Sequence, residues 1–192
     1  IRDSSKYAVM LAEALPMSDN DIEVVRIAGM LHDIGKISIP EHILKKTSGL
    51  TPEEYAIMKT HVENSIKMIR YLPNMDYVIP AVVGHHERYD GRGYPDGLKG
   101  EEIPIEVQVV SIADVYDALV SERVYKKAYS HKKAVEMILN GECGQFNPLL
   151  LECLQDIQDR IDEEFQNVEN QSEEENQERK VHDQIMETTV LG

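Results

Sequence analysis

Six side chains in this 192-residue sequence have the types and spacing to hold metal ions: His32, Asp33, His61, His85, His86 and Asp114. Each lies at or beside the apolar stripe of a helical segment, and together they are spread over four such segments. Ionisable groups set against a core must be paired or bound to a metal. A lone histidine in such a place is usually satisfied by hydrogen bonds, but four imidazoles and two carboxylates are hard to satisfy that way. Neutral imidazole with carboxylate is the donor set that suits Fe, Mn, Zn or Ni. Adjacent His32 and Asp33 at a helix end diverge by about 100°, so His32 can hold one ion while Asp33 reaches a second. A carboxylate bridging two ions about 3.5–4 Å apart, with an acidified water between them, is equipment for hydrolysing a phosphodiester.

The elements that must position these residues show in caps and periodicity. A first helix is expected from Ser4 to Leu15. Ser18 or Asn20 can cap a second, which runs through Ile22, Val25, Ala28 and Leu31 into His32-Asp33, with Gly35 where a helix would stop. Thr51-Pro52-Glu53-Glu54 combines a capping Thr, Pro at the first helical position and Glu three residues after the cap. The helix it opens, through Met58, Val62, Ser65, Ile66 and Ile69, puts His61 beside an apolar stripe. A further segment from about Asp76 to His86 leads into a long loop, Glu87 to Pro104, that holds Gly91, Gly93, Pro95, Gly97 and Gly100; from Asp90 to Pro95 the glycines supply backbone conformations other residues avoid. Helical spacing resumes at Val109, Ile112, Val115, Tyr116 and Leu119, carrying Asp114, and again after Ser130, with Gly141 as a stop. Asn147-Pro148 opens the last core helix. No alternating strand pattern of useful length is present, so the expected class is all-α.

The motifs also carry a family resemblance. His32-Asp33-Ile34-Gly35-Lys36 resembles the HD signature, and His85-His86-Glu87-Arg88-Tyr89-Asp90-Gly91-Arg92-Gly93-Tyr94-Pro95 resembles the HHE and GYP signature of the HD-GYP phosphodiesterases. Their order, the intervening His61 and the following Ala113-Asp114-Val115-Tyr116-Asp117-Ala118-Leu119 extend the match from about Tyr7 to Leu154. The resemblance implies an HD-domain helical bundle with a Gly-rich GYP loop and two divalent ions, sometimes three; Fe or Mn is expected, with Ni or Zn as alternatives. It implies that His32, Asp33 and Asp114 serve one ion and that Asp33, His61, His85 and His86 serve the other, Asp33 bridging. It implies hydrolysis of cyclic di-GMP to linear pGpG, a product often processed further to GMP.

Asp33 and Lys36 are the expected catalytic residues. Lys36, one turn past Asp33, would hold a phosphate oxygen or protonate the leaving 3′ oxygen, although the position also suits a solvent-facing lysine. Arg123 and Lys126 match a phosphate-contacting pair of the family. Tyr94, presented by the loop, would stack on guanine or else pack the loop onto the domain. His42, His131 and His182 fall outside the motifs and are expected at the surface. Two features depart from the family pattern. The usual first-helix His and an upstream Glu are absent, their places falling at or before Ile1, and Phe146-Asn147-Pro148 stands where Phe-Asp-Pro is usual, an exchange of comparable helix caps. Alternative functions are hydrolysis of another cyclic dinucleotide such as cyclic GMP-AMP, or a module that binds cyclic di-GMP or a protein without hydrolysis.

Composition sets the remaining expectations. Of a net charge of −15, the stretch from Glu152 to Gly192 holds 13 acids against 3 bases, which leaves the first 151 residues only −5 and room for a local basic pocket. Gln166 to Lys180 is too rich in Gln, Asn and Glu to bury a core face. A catalytic domain over 1–165 and an acidic, disordered or solvated-helix tail over 166–192 follow, the tail ending in a weak apolar hook of Val181, Ile185, Met186 and Leu191. Two cysteines make no disulfide scaffold and fit a reducing, cytoplasmic setting; there is no apolar run of membrane-span length and no signal-peptide layout. With no initiator Met and a start inside a helix, the sequence reads as part of a longer protein. Besides cyclic di-GMP, the expected partners are an upstream sensor or receiver domain, a diguanylate cyclase (GGDEF) and a second copy of the chain, and no polymeric nucleic acid.

Overall fold

In a computed structural model the described residues are 4–122, 127–164 and 166, and all regular elements among them are helical, apart from an isolated antiparallel bridge between Asp90 and Lys99. The chain divides into two units, Ile1–Ile157 and Gln158–Gly192. In the second unit residues 158–164 are helical. Arg123, Lys126, His182 and residues 167–192, which include nearly all of the acidic tail, lie outside the described residues.

The first unit contains α1 (Ser4–Glu13), α2 (Asp19–Leu31), α3 (Glu41–Leu44), α4 (Pro52–Ile69), α5 (Ile79–Gly84), α6 (Ile105–Val120) and α7 (His131–Leu139), followed by helical residues 148–157. Three short 3₁₀ turns intervene, at Ile34–Ser38, Asp76–Val78 and Gly100–Glu102. The caps act as the sequence indicates. Ser18 and Thr51 each accept from the backbone amide three residues on, and Asp21 and Glu54 return a carboxylate to the cap backbone. Asn147 Oδ1 accepts from the Leu149 amide at 3.0 Å, so asparagine serves as the cap where aspartate is usual.

At the centre of this unit stands α6. An unbroken run from Val107 to Ala113 is buried, so the helix is covered on all sides rather than along one stripe. The helices α1, α2, α5 and α7 pack against it. Such a helix tolerates a carboxylate, Asp114, only where something balances it. The short α3 and the start of α6 four residues ahead of Val109 were not indicated by periodicity.

Four differences from the sequence reading bear on the site. Leu31 ends α2 and Asp33 lies outside it, at φ −102° and ψ 4°, leading into the first 3₁₀ turn. Gly35 is no helix stop but a point of close approach: a Cβ there would overlap the His61 carbonyl oxygen and the Ser65 amide of α4. The segment expected from Asp76 to His86 is a 3₁₀ turn followed by a six-residue α5, with His85 capping it and His86 in the turn beyond. His131 is not a surface residue: it is only 9% exposed, and its Nδ1 lies 2.8 Å from the Tyr116 hydroxyl on α6. A buried tyrosine hydroxyl needs a polar partner, and His131 at the start of α7 provides it. His42 is exposed, as expected.

Candidate metal centre

His32 at the end of α2, Asp33 just past it, His61 on α4, His85 and His86 after α5, and Asp114 on α6 meet in one place. Two overlapping groups of donor atoms, each within 4.8 Å of one another, are His32, His85 and Asp114, and His61, His85 and His86. His85, 0% exposed, belongs to both. Asp33 spans them: one carboxylate oxygen lies 3.5 Å from His32 Nε2 and the other 3.4 Å from His61 Nε2. His32 Nε2 also lies 3.4 Å from Asp114 Oδ1. The divergence that a helical wheel attributes to neighbouring positions is achieved here by Asp33 leaving the helix.

The imidazoles are oriented from behind. Nδ1 of His32 donates to Gly29 O at 2.9 Å, Nδ1 of His61 to Met58 O at 2.7 Å and Nδ1 of His85 to Val82 O at 2.5 Å. A carbonyl oxygen only accepts, so Nδ1 carries the hydrogen in each ring and Nε2 of the neutral imidazole presents a lone pair. Nε2 of His61 then faces Nε2 of His85 at 3.5 Å and Nε2 of His86 at 3.2 Å. The lone pairs of His61 and His85 converge in a buried space and repel unless a cation sits between them. Ligands about 2.1 Å from a shared ion, at 90–109° to each other, stand roughly 3.0–3.4 Å apart, close to these separations. Asp33 Oδ1 is buried and has no hydrogen-bond partner. An orphaned carboxylate oxygen among imidazole lone pairs fits divalent ions, and so does the donor chemistry.

Electrostatics agree. Burial pushes His61 down, burial and the His32 charge push His85 down to about 4, and burial with neighbouring His85 pushes His86 down to about 2. Three rings are therefore neutral and ready as ligands at neutral pH. For His32, burial disfavours the cation, but the carboxylates of Asp114 and Asp33 outweigh it and raise the metal-free ring to about 10. Burial opposes ionisation of Asp33 and Asp114, and His32 nevertheless holds both well below the usual carboxylate range. In the metal-free chain a proton on His32 thus does the balancing that a metal would do.

Around the centre, Lys36 Nζ pairs with Asp33 Oδ2 at 2.5 Å from within the 3₁₀ turn. Tyr94, half-buried, lies with its ring 4.6 Å from that of His86, and Lys59 Nζ is 5.6 Å from the Tyr94 ring and 5.1 Å from Tyr55. Sequence reasoning gave no role to several residues that support the site. Ser65 Oγ donates to His32 O and accepts from Gly35 N, both at 2.9 Å. Arg88 donates to Ser111 Oγ at 2.7 Å and lies over the Phe146 ring at 5.6 Å. Glu87, 2% exposed, accepts three backbone amides from the loop. The signal for Ser65 was a hydroxyl four residues past His61 in an otherwise apolar stripe, and for Glu87 a carboxylate heading a loop with nothing else to tie it.

The profile of the HD domain family matches residues 2–148. The chain is similar to the cyclic di-GMP phosphodiesterase response regulator RpfG of Xanthomonas campestris pv. campestris (strain 8004), 39% identical over 152 residues, 78% of this chain and 40% of that protein. A cyclic di-GMP phosphodiesterase of Thermotoga maritima is 38% identical over 153 residues, 79% of this chain and 42% of that one. The 3'3'-cGAMP-specific phosphodiesterase 2 of Vibrio cholerae is 36% identical over 152 residues, 77% of this chain and 29% of its own. The chain thus spans about two-fifths or less of the length of these relatives. Among solved structures, Bd1817, a HDG"Y"P protein from Bdellovibrio bacteriovorus, shares the fold with a TM-score of 0.62 at 22% identity, over 80% of this chain and 49% of that one.

Proposed function

The chain belongs to the HD domain family, and from that premise we propose that it is a metal-dependent phosphodiesterase that opens cyclic di-GMP to pGpG. The observation that carries this reading is the Asp33 carboxylate, one oxygen toward His32 and the other, without a hydrogen-bond partner, toward His61. That arrangement suits a bridging ligand of a metal pair. The two relatives named as cyclic di-GMP phosphodiesterases, at 38–39% identity, support the substrate.

His32, Asp33 and Asp114 would hold one ion, and Asp33, His61, His85 and His86 the other, with His85 close enough to contribute to both. Fe or Mn fits this mixed set, and Ni or Zn remains compatible with it. Bound there, divalent ions would supply the Lewis acidity that activates a water and neutralises the phosphate. Lys36 would exchange its contact with Asp33 for a phosphate oxygen and donate a proton to the leaving 3′ oxygen. Tyr94 offers an aromatic surface for a base beside the Lys59 ammonium. Arg123 and Lys126 would contact phosphate, on the strength of their sequence positions. A cytoplasmic setting belongs to the same reading; its support is a sequence with only two cysteines, Cys143 and Cys153, too few for a disulfide scaffold. An upstream sensor or receiver domain, a diguanylate cyclase partner and a homodimer complete it by resemblance.

A second reading is favoured by the 36% identity to a 3'3'-cGAMP-specific enzyme: the same chemistry on cyclic GMP-AMP. Parallel turnover of cyclic di-GMP, 3'3'-cyclic GMP-AMP and mononucleotides by the metal-loaded chain separates them. Cyclic di-GMP is expected to be consumed fastest. Fastest loss of cyclic GMP-AMP would install the second reading, and fastest loss of a mononucleotide would contradict both.

A further inference from the structure

His86 differs from its neighbours. Where His32, His61 and His85 each anchor Nδ1 to the carbonyl three residues back, His86 makes no such bond, because it sits in the turn beyond α5. Something else must aim its Nε2 at His61. The Tyr94 ring covers the imidazole at 4.6 Å with 30° between the planes, and the Tyr94 amide donates to the His86 carbonyl at 3.2 Å. The loop therefore returns, eight residues later, onto the ligand from which it departed.

What brings it back is Glu87. Its buried carboxylate accepts from the amides of Asp96, Gly97 and Leu98 at 2.8, 3.1 and 3.0 Å, which ties the far side of the loop to the residue next to His86. Charge-assisted bonds of this kind are about twice as strong as neutral ones. Gly93 allows the approach: a Cβ there would overlap the Glu87 Cα and the backbone of His86 and Arg88. Its role is proximity, whereas Gly91, Gly97 and Gly100 take a positive φ.

We infer that the loop held by Glu87 uses Tyr94 as a positioning residue for His86, so that the tyrosine ring, rather than a carbonyl, fixes the orientation of this ligand and sets the affinity of the ion shared with His61 and His85. The inference rests on the metal-centre reading and extends it to residues that touch no metal. Outer partners that fix ligand orientation typically contribute 10–100-fold in metal affinity.

The test is Mn(II) affinity, by competition with a chelator, for the 192-residue chain and for Tyr94→Ala, Tyr94→Phe and Glu87→Gln. Tyr94→Ala and Glu87→Gln are each expected to lose about 10–100-fold in affinity for one of two ions and to keep the other. Tyr94→Phe, which retains the ring, is expected to match the parent, a rescue that general loosening of the fold would not give. Parent affinities for both ions in Tyr94→Ala would overturn the inference, as would equal losses in Tyr94→Phe or a parent that takes up no metal. A parent that binds two ions yet leaves cyclic di-GMP intact removes the proposed substrate only. A parent that hydrolyses it while Tyr94→Ala binds metal normally removes this inference only.

Discussion

At the scale of single residues, the proton on His32 is what an incoming metal must displace. The ring sits between Asp33 and Asp114 and titrates near 10 instead of 6.5 in the metal-free chain. Its raised pKa stabilises the metal-free fold fully below about pH 6.5, and that contribution is lost as the pH rises through about 10. For metal binding the sign is opposite, since each displaced proton disfavours uptake more as the pH falls. Apparent affinity for Mn(II) should therefore keep rising between about pH 6.5 and 8.5, roughly tenfold per unit for one displaced proton. Chelator competition across that window checks this, and a plateau above pH 7 would contradict it. These candidate ligands were legible because histidine and aspartate stand out on apolar stripes. His131 was not, because a polar residue gives no sign in the sequence of the buried partner that receives it.

At the scale of elements, the join between the first 3₁₀ turn and α4 matters most, since it carries Asp33 toward His61. Two features hold it: the glycine contact at Gly35 and the Ser65 hydroxyl, which satisfies the His32 carbonyl and the Gly35 amide at once. Ser65 is fully buried. Ser65→Ala would leave a donor and an acceptor unsatisfied and should destabilise the metal-free chain by about 1–3 kcal/mol in urea unfolding. A change below about 0.5 kcal/mol, the range of ordinary surface substitutions, would show that the join does not depend on it. Helix starts were readable here, since Ser18 and Thr51 satisfy amides that any helix leaves open. Helix ends were less so. Whether Gly35 stops a helix or lets two backbones touch depends on α4, thirty residues along the chain.

At the scale of the whole molecule, the all-α class followed from periodicity, and the central position of α6 could have been read from its near-continuous apolar run, Val107 to Ala113. That run is what places Asp114, a carboxylate on a buried helix, where His32 balances it. The distances that define the site are long-range facts: His61 and His85 lie 24 residues apart in sequence and 3.5 Å apart in space. The central claim is that this assembly, with Asp33 between its halves, performs metal-dependent phosphodiester hydrolysis. The most direct measurement is anaerobic incubation of the chain and of Asp33→Ala with Fe(II) or Mn(II) and cyclic di-GMP, following pGpG and GMP by chromatography. Product from the parent and none from Asp33→Ala is the predicted result; equal product from both, or none from a metal-loaded parent, would contradict it.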